Sequence, residues 1–183
     1  MLKESFIEKT FDPLEQKYTE QSHTDEYKES IKKEYIQALD NISSELEDLN
    51  FPNPKFIAFS LLRLQVMEQN KFIYTIKVFD DVFENYKELG EYHAYWLTEK
   101  YIDFLHELNQ RLKKTMLKND PIFVTELRSR IVEHYNYSFV HSTKEFLENH
   151  KNTALGDHIV IAGDYIFAPV CLGLAQFEIV KEF

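Results

Sequence analysis

Residues 53–90 read NPKFIAFSLLRLQVMEQNKFIYTIKVFDDVFENYKELG, and the fold class turns on this stretch. Asn53 before Pro54 is a helix-starting pair: the amide caps, and proline's missing N–H is harmless in a first turn. From Phe56 to Met67 apolar side chains point in nearly every direction around a 3.6-residue period, as on a helix surrounded by others. From Phe72 onward, Phe72, Ile76, Phe79, Phe83 and Tyr86 keep to one stripe, opposite Lys77, Asp81, Glu84 and Glu88. The polar Gln69-Asn70-Lys71 is a break or kink, and Gly90 supplies a left-handed stop. Lys55 to Leu89 is thus expected to be a long, central buried helix.

The flanking segments repeat that period. Asp12-Pro13 starts a short helix. Tyr27, Ile31, Tyr35, Ala38, Ile42, Leu46 and Leu49 mark an amphipathic one. Leu97, Tyr101, Phe104, Leu105, Leu108, Leu112 and Met116 mark another, running from about Glu91 to Leu117. Asp120-Pro121 begins a further helix that continues to about Asn149. The β-branched run Ile159-Val160-Ile161 would suit a strand, but no partner strand is in view, so the C-terminal segment is read as a packed helix. Four Gly and five Pro are too few for the turns of a sandwich or barrel. The expectation is an all-α, single-domain multi-helix bundle over residues 1–183, with about six to eight helices.

Composition narrows the function classes. The formal charge is −10, and residues 1–50 hold six Lys against thirteen Asp or Glu, a net of −7. Residues 111–130 reverse the sign, with six basic and two acidic residues. An acidic chain repels phosphate backbones, so nucleic acid is disfavoured, and the basic segment lies where cations complement a helix C-terminus. Cys171 is the sole cysteine, which excludes an internal disulfide and a cysteine-based zinc site. No apolar signal core opens the chain, and Asp164 and Pro169 interrupt the run from Ile159 to Ala175, short of the roughly twenty residues of a membrane span. A cytoplasmic protein with no cofactor and no membrane partner is expected.

Motifs that announce chemistry are missing: no phosphate loop, dinucleotide fingerprint, HExxH or nucleophile elbow occurs. Glu20 and His23 fall in a polar linker, and Asp103 and His106 face away from the apolar stripe, so neither supports a di-metal carboxylate site. His134, His141 and Glu145 lie near one helical line, but His134 and His141 are about 10 Å apart in rise, too far to share an ion. His141 with Glu145 is the remaining metal candidate. Arg63, Gln65 and Glu68 interrupt the all-round apolar helix, and Asp164 sits with Asp157 and His158 beside the last apolar run. Buried charges need partners or a wet pocket. One reading is a ligand pocket of Arg63, Glu68, Asp164 and His158, serving a helical enzyme or small-ligand-binding protein. The plainer one is an internal Arg63–Asp164 pair, whose disruption would cost about 3–5 kcal/mol. The leading expectation is an acidic helical interaction protein rather than an enzyme. Its composition resembles that of inhibitors or immunity-type proteins acting on a basic protein partner, with Glu29, Glu45 and Asp48 on the docking face.

Overall fold

Helix α1 (Leu2–Phe6) runs through a π-helical turn at Ile7–Phe11 into α2 (Asp12–Gln21). Pro13 occupies the first turn of α2 as its ring requires, but the chain enters from helix rather than from a loop. Phe6, Phe11 and Leu14 are buried along this segment. The computed structural model describes residues 2–21, 29, 33, 34, 37, 38, 41, 56–80, 85–149, 159–164 and 177–181; the Asn53-Pro54 pair lies outside them. Glu29, Lys33, Glu34, Gln37, Ala38 and Asn41 are helical, and Ala38 packs against the core as its apolar stripe implies.

The all-α bundle with a central buried helix is overturned by the next stretch. Residues 56–79 form strand β1 (Phe56–Leu61), helix α3 (Arg63–Gln69) and strand β2 (Ile73–Phe79). In β1 every residue after Phe56 is buried, and in β2 every residue before Phe79. A strand covered on both faces shows no alternation, so its apolar run looks like that of an enclosed helix. The break at Gln69-Asn70-Lys71 does occur: Asn70 ends α3 in the left-handed conformation, at φ 56°. The chain is therefore mixed α/β.

Between β2 and strand β3 (Tyr86–His93), the Asn85 backbone and side-chain amides both donate to Asp80 Oδ2, at 3.2 and 2.7 Å. β1, β2 and β3 form an antiparallel set. Gly90 does not stop a helix; it follows a bulge at Leu89, where the β2–β3 register shifts, and its φ of 150° suits glycine. β4 (Ile159–Asp164) lies parallel to β1, and β5 (Phe177–Lys181) antiparallel to β4, giving the sheet order β3-β2-β1-β4-β5. The partner that Ile159-Val160-Ile161 lacked is thus β1 itself.

Two long helices follow the antiparallel strands. α4 (Tyr95–Leu112) buries Leu97, Tyr101, Phe104, Leu105, Leu108 and Leu112 of the expected stripe, but Met116 lies beyond its end and is exposed, and residues 91–93 belong to β3 instead. A 3-10 turn at Met116–Asn119 leads into α5 (Pro121–Asn149), and Asp120 Oδ1 accepts the Phe123 N–H at 3.0 Å, as the Asp-Pro pair implies. Phe139 of α5 stacks on Tyr74 of β2 at 3.8 Å and leans on Phe59 and Tyr92. The Tyr74 hydroxyl donates to buried Asn136 at 3.1 Å, which satisfies both groups inside the aromatic layer. Arg128 clamps α3 to α5 by donating to the Met67 carbonyl and to Asn70 Oδ1, at 2.8 and 2.9 Å.

Charge asymmetry has an internal use as well. Arg130 pairs with Asp12 and Glu15 of α2, and Lys17 of α2 shares Glu107 with Arg111. Lys3 pairs with Asp120. Of the basic 111–130 segment, Arg130 therefore neutralises acidic residues of α2, while Lys3 and Lys17 pair in the opposite sense with Asp120 and Glu107.

Candidate functional site

The first turn of α4 presents backbone N–H groups that need acceptors, and its cap residue, Ala94, has no side-chain acceptor. Glu34, a helical residue between α2 and β1, fills that gap: its carboxyl accepts the backbone N–H groups of Trp96 and Tyr95, and the hydrogen bond of the Tyr92 hydroxyl. The Tyr92 oxygen in turn accepts from Trp96 Nε1 at 3.1 Å. An indole, a phenol and a carboxyl are thus linked in one relay at the junction of β3 and α4. Burial pushes the Glu34 carboxyl above its ordinary range, and the Glu99 carboxylate adds to this. The Trp96, Tyr95 and Tyr92 donors pull it partly back. Burial likewise raises the Tyr92 phenol, so it stays a hydrogen-bond donor at neutral pH.

Beside this relay opens a cleft of about 280 Å³, lined by the helical residues Glu34, Gln37, Ala38 and Asn41 and by Ile76 of β2. Leu89, Gly90, Glu91, Tyr92 and His93 of β3 complete its wall with Tyr95. The second Glu34 oxygen, Oε2, is buried with no hydrogen-bond partner among the described residues. On the rim, the His93 ring stacks on Tyr95 at 5.9 Å, and its Nε2 lies 3.3 Å from Glu91 Oε2. Two carboxylates, aromatic faces and an unsatisfied buried acceptor suit a ligand that is cationic and donates hydrogen bonds.

The residues singled out from sequence lie elsewhere. Arg63 opens α3 and donates to Glu133 Oε1 at 2.8 Å and to Ser129 Oγ at 3.0 Å, both on α5. Its side chain is 34% exposed and that of Glu133 is 63% exposed, so this pair is not the buried one expected. Glu68 is exposed on the same helix, and neither residue lines the cleft. Asp164 ends β4 opposite Leu61, which brings its backbone near the β1–α3 junction. His158, Glu45 and Asp48 lie outside the described residues, and Glu29 is an exposed helical residue. His141 is exposed and stacks on Tyr137, Glu145 is placed on α5 by backbone alone, and His134 is tied to Thr19 at 3.1 Å. Among the described residues no group of three or more potential ligands is arranged for a metal ion.

Arg63→Met should cost at most about 1 kcal/mol, because a half-exposed pair leaves its survivor in water rather than stranded. The melting temperature should fall by less than about 4 °C. A loss near the roughly 3–5 kcal/mol of a buried pair would restore the internal-pair reading.

Sequence reasoning missed Glu34, Tyr92, His93 and Trp96. The available signal was the dense run Tyr92-His93-Ala94-Tyr95-Trp96, which holds the chain's one tryptophan. Comparison of this chain with protein families, curated proteins and solved structures found no match. No helix among the described residues is long and apolar enough to cross a membrane.

Proposed function

We propose that this chain is a cytoplasmic binding protein for a basic protein partner, and that the cleft beside Glu34 receives a cationic group of that partner. The observation that carries the reading is Glu34 Oε2, a buried carboxylate oxygen with no donor among the described residues, beside an open cleft. Such an oxygen is costly to leave unsatisfied, and an ammonium or guanidinium N–H would satisfy it with charge assistance. Glu91 adds a second negative charge on the rim, and Tyr92 and Tyr95 add ring faces. The formal charge of −10 supports long-range attraction of a basic partner. An inhibitor of a basic protein, of the immunity type included, is a role that this chemistry serves.

The probe is n-butylammonium, a bare mimic of a lysine side chain, titrated while amide resonances are followed by NMR. Saturable shifts should centre on Glu34 and residues 89–95. Glu34→Gln keeps an acceptor for the α4 N–H groups while removing the charge. It should weaken binding by about ten- to a hundredfold, the range of a hydrogen bond to a charged group. Shifts scattered over the surface, or equal affinity in Glu34→Gln, would refute the cleft.

A further inference from the structure

Five consecutive residues of β3, Leu89 to His93, line the cleft. Side chains along a strand alternate between faces, so a cavity touching five in a row passes the strand's edge and not one face alone. Among the described residues that edge is open, because β3 ends the sheet and pairs there only with β2.

The hydrogen-bond alternation shows which backbone groups point outward. The Ala94 N–H donates to the Phe72 carbonyl at 2.9 Å, immediately after the His93–Ile73 pair. In an antiparallel ladder every second pair is hydrogen-bonded, so Tyr92 bonds toward Tyr74 while Glu91 and His93 turn their N–H and C=O groups away from β2. An independent bond agrees: the Leu62 N–H donates to the Ile73 carbonyl at 2.9 Å, so Ile73 serves β1 and not β3. The bulge at Leu89 breaks the edge below this point and leaves a short regular segment above it.

We infer that the free edge of β3 at Glu91–His93 receives an extended segment of the basic partner as an added strand, with one cationic side chain of that segment reaching Glu34. The inference rests on the cation reading of the cleft and adds the backbone geometry that would hold the partner. Charge complementarity selects the occupant: Glu91 and Glu34 flank the edge, and an acidic segment would be repelled there. Pairing through the main chain supplies affinity, and the alternate side chain in the cleft supplies specificity.

The test uses capped heptapeptides alternating threonine and valine around a central lysine. A second version is N-methylated on alternate amides, and a third has glutamate at the centre. With the lysine peptide at saturation, amide hydrogen exchange at Glu91 and His93 should slow by at least about tenfold. The methylated peptide, short of two edge bonds, should bind about tenfold more weakly, and the glutamate peptide more weakly still. If butylammonium shifts the cleft but the lysine peptide leaves exchange at Glu91 and His93 unchanged, edge pairing is wrong and the cation reading stands. Equal binding of the methylated peptide has the same meaning. If neither butylammonium nor the lysine peptide binds, the cation reading itself fails and the edge proposal with it.

Discussion

Phe139→Ala should destabilise the chain by about 3–5 kcal/mol, measured by urea unfolding at fixed pH. Phe139 is fully buried and meets Tyr74 face to face at 3.8 Å, with Phe59 at 6.1 Å and Tyr92 at 5.9 Å. These three rings come from β1, β2 and β3, so one α5 side chain spans the antiparallel part of the sheet. Removing it leaves a hole among aromatic rings whose own positions are tied by backbone pairing, which limits collapse into the space. Ile122→Ala on the same helix is the control, because Ile122 is 69% exposed and its loss should stay within about 0.5 kcal/mol. A Phe139→Ala loss below about 1 kcal/mol would mean that α5 does not pack on this sheet.

That layer also explains how much of the fold the sequence disclosed. Helices with one wet face were legible: the α4 stripe from Leu97 to Leu112 and the Asp120-Pro121 start of α5 both appear as the period and the cap imply. Strands buried on both faces were not, because Phe56–Leu61 and Ile73–Phe79 lack the polar alternation that separates strand from helix. The β-branched and aromatic content of Ile73-Tyr74-Thr75-Ile76-Lys77-Val78-Phe79 was the better cue, and the chance stripe of Phe72, Ile76 and Phe79 outweighed it. One error then caused the next: with β1 taken as helix, Ile159–Asp164 had no strand to join. The cleft was hidden for a related reason. Glu34 is an ordinary polar position on its own helix and becomes distinctive only because α4 begins beside it with no side-chain acceptor at Ala94. Arg63 drew attention through its apolar neighbours, but those neighbours are divided between a strand and a helix whose first residue faces α5.

Stability should fall as pH rises from about 4.5 through the raised pKa of Glu34, and cation affinity should rise over the same window. The folded Glu34 carboxyl lies above its ordinary value of 4.5, chiefly through burial, so across that window the native chain holds a proton that the unfolded chain has released. Deprotonation then favours the unfolded state, and the stability lost is fully gone once pH exceeds the folded pKa. Glu107 and Asp120 behave oppositely. Hydrogen bonds from Lys17 and Arg111 lower the first, and those from Lys3 and the Phe123 N–H lower the second. Their contribution is present above the ordinary carboxylate pKa and lost as pH falls through their depressed values. The two limbs therefore lie on opposite sides of that ordinary value, and Glu34→Gln should remove only the upper one. Binding of n-butylammonium requires the Glu34 anion, so below its folded pKa affinity should drop by about tenfold per pH unit. Melting temperatures and butylammonium affinities from pH 4 to pH 8 for both proteins decide the matter. Parallel curves for wild type and Glu34→Gln throughout would show that Glu34 neither titrates in the window nor meets the cation.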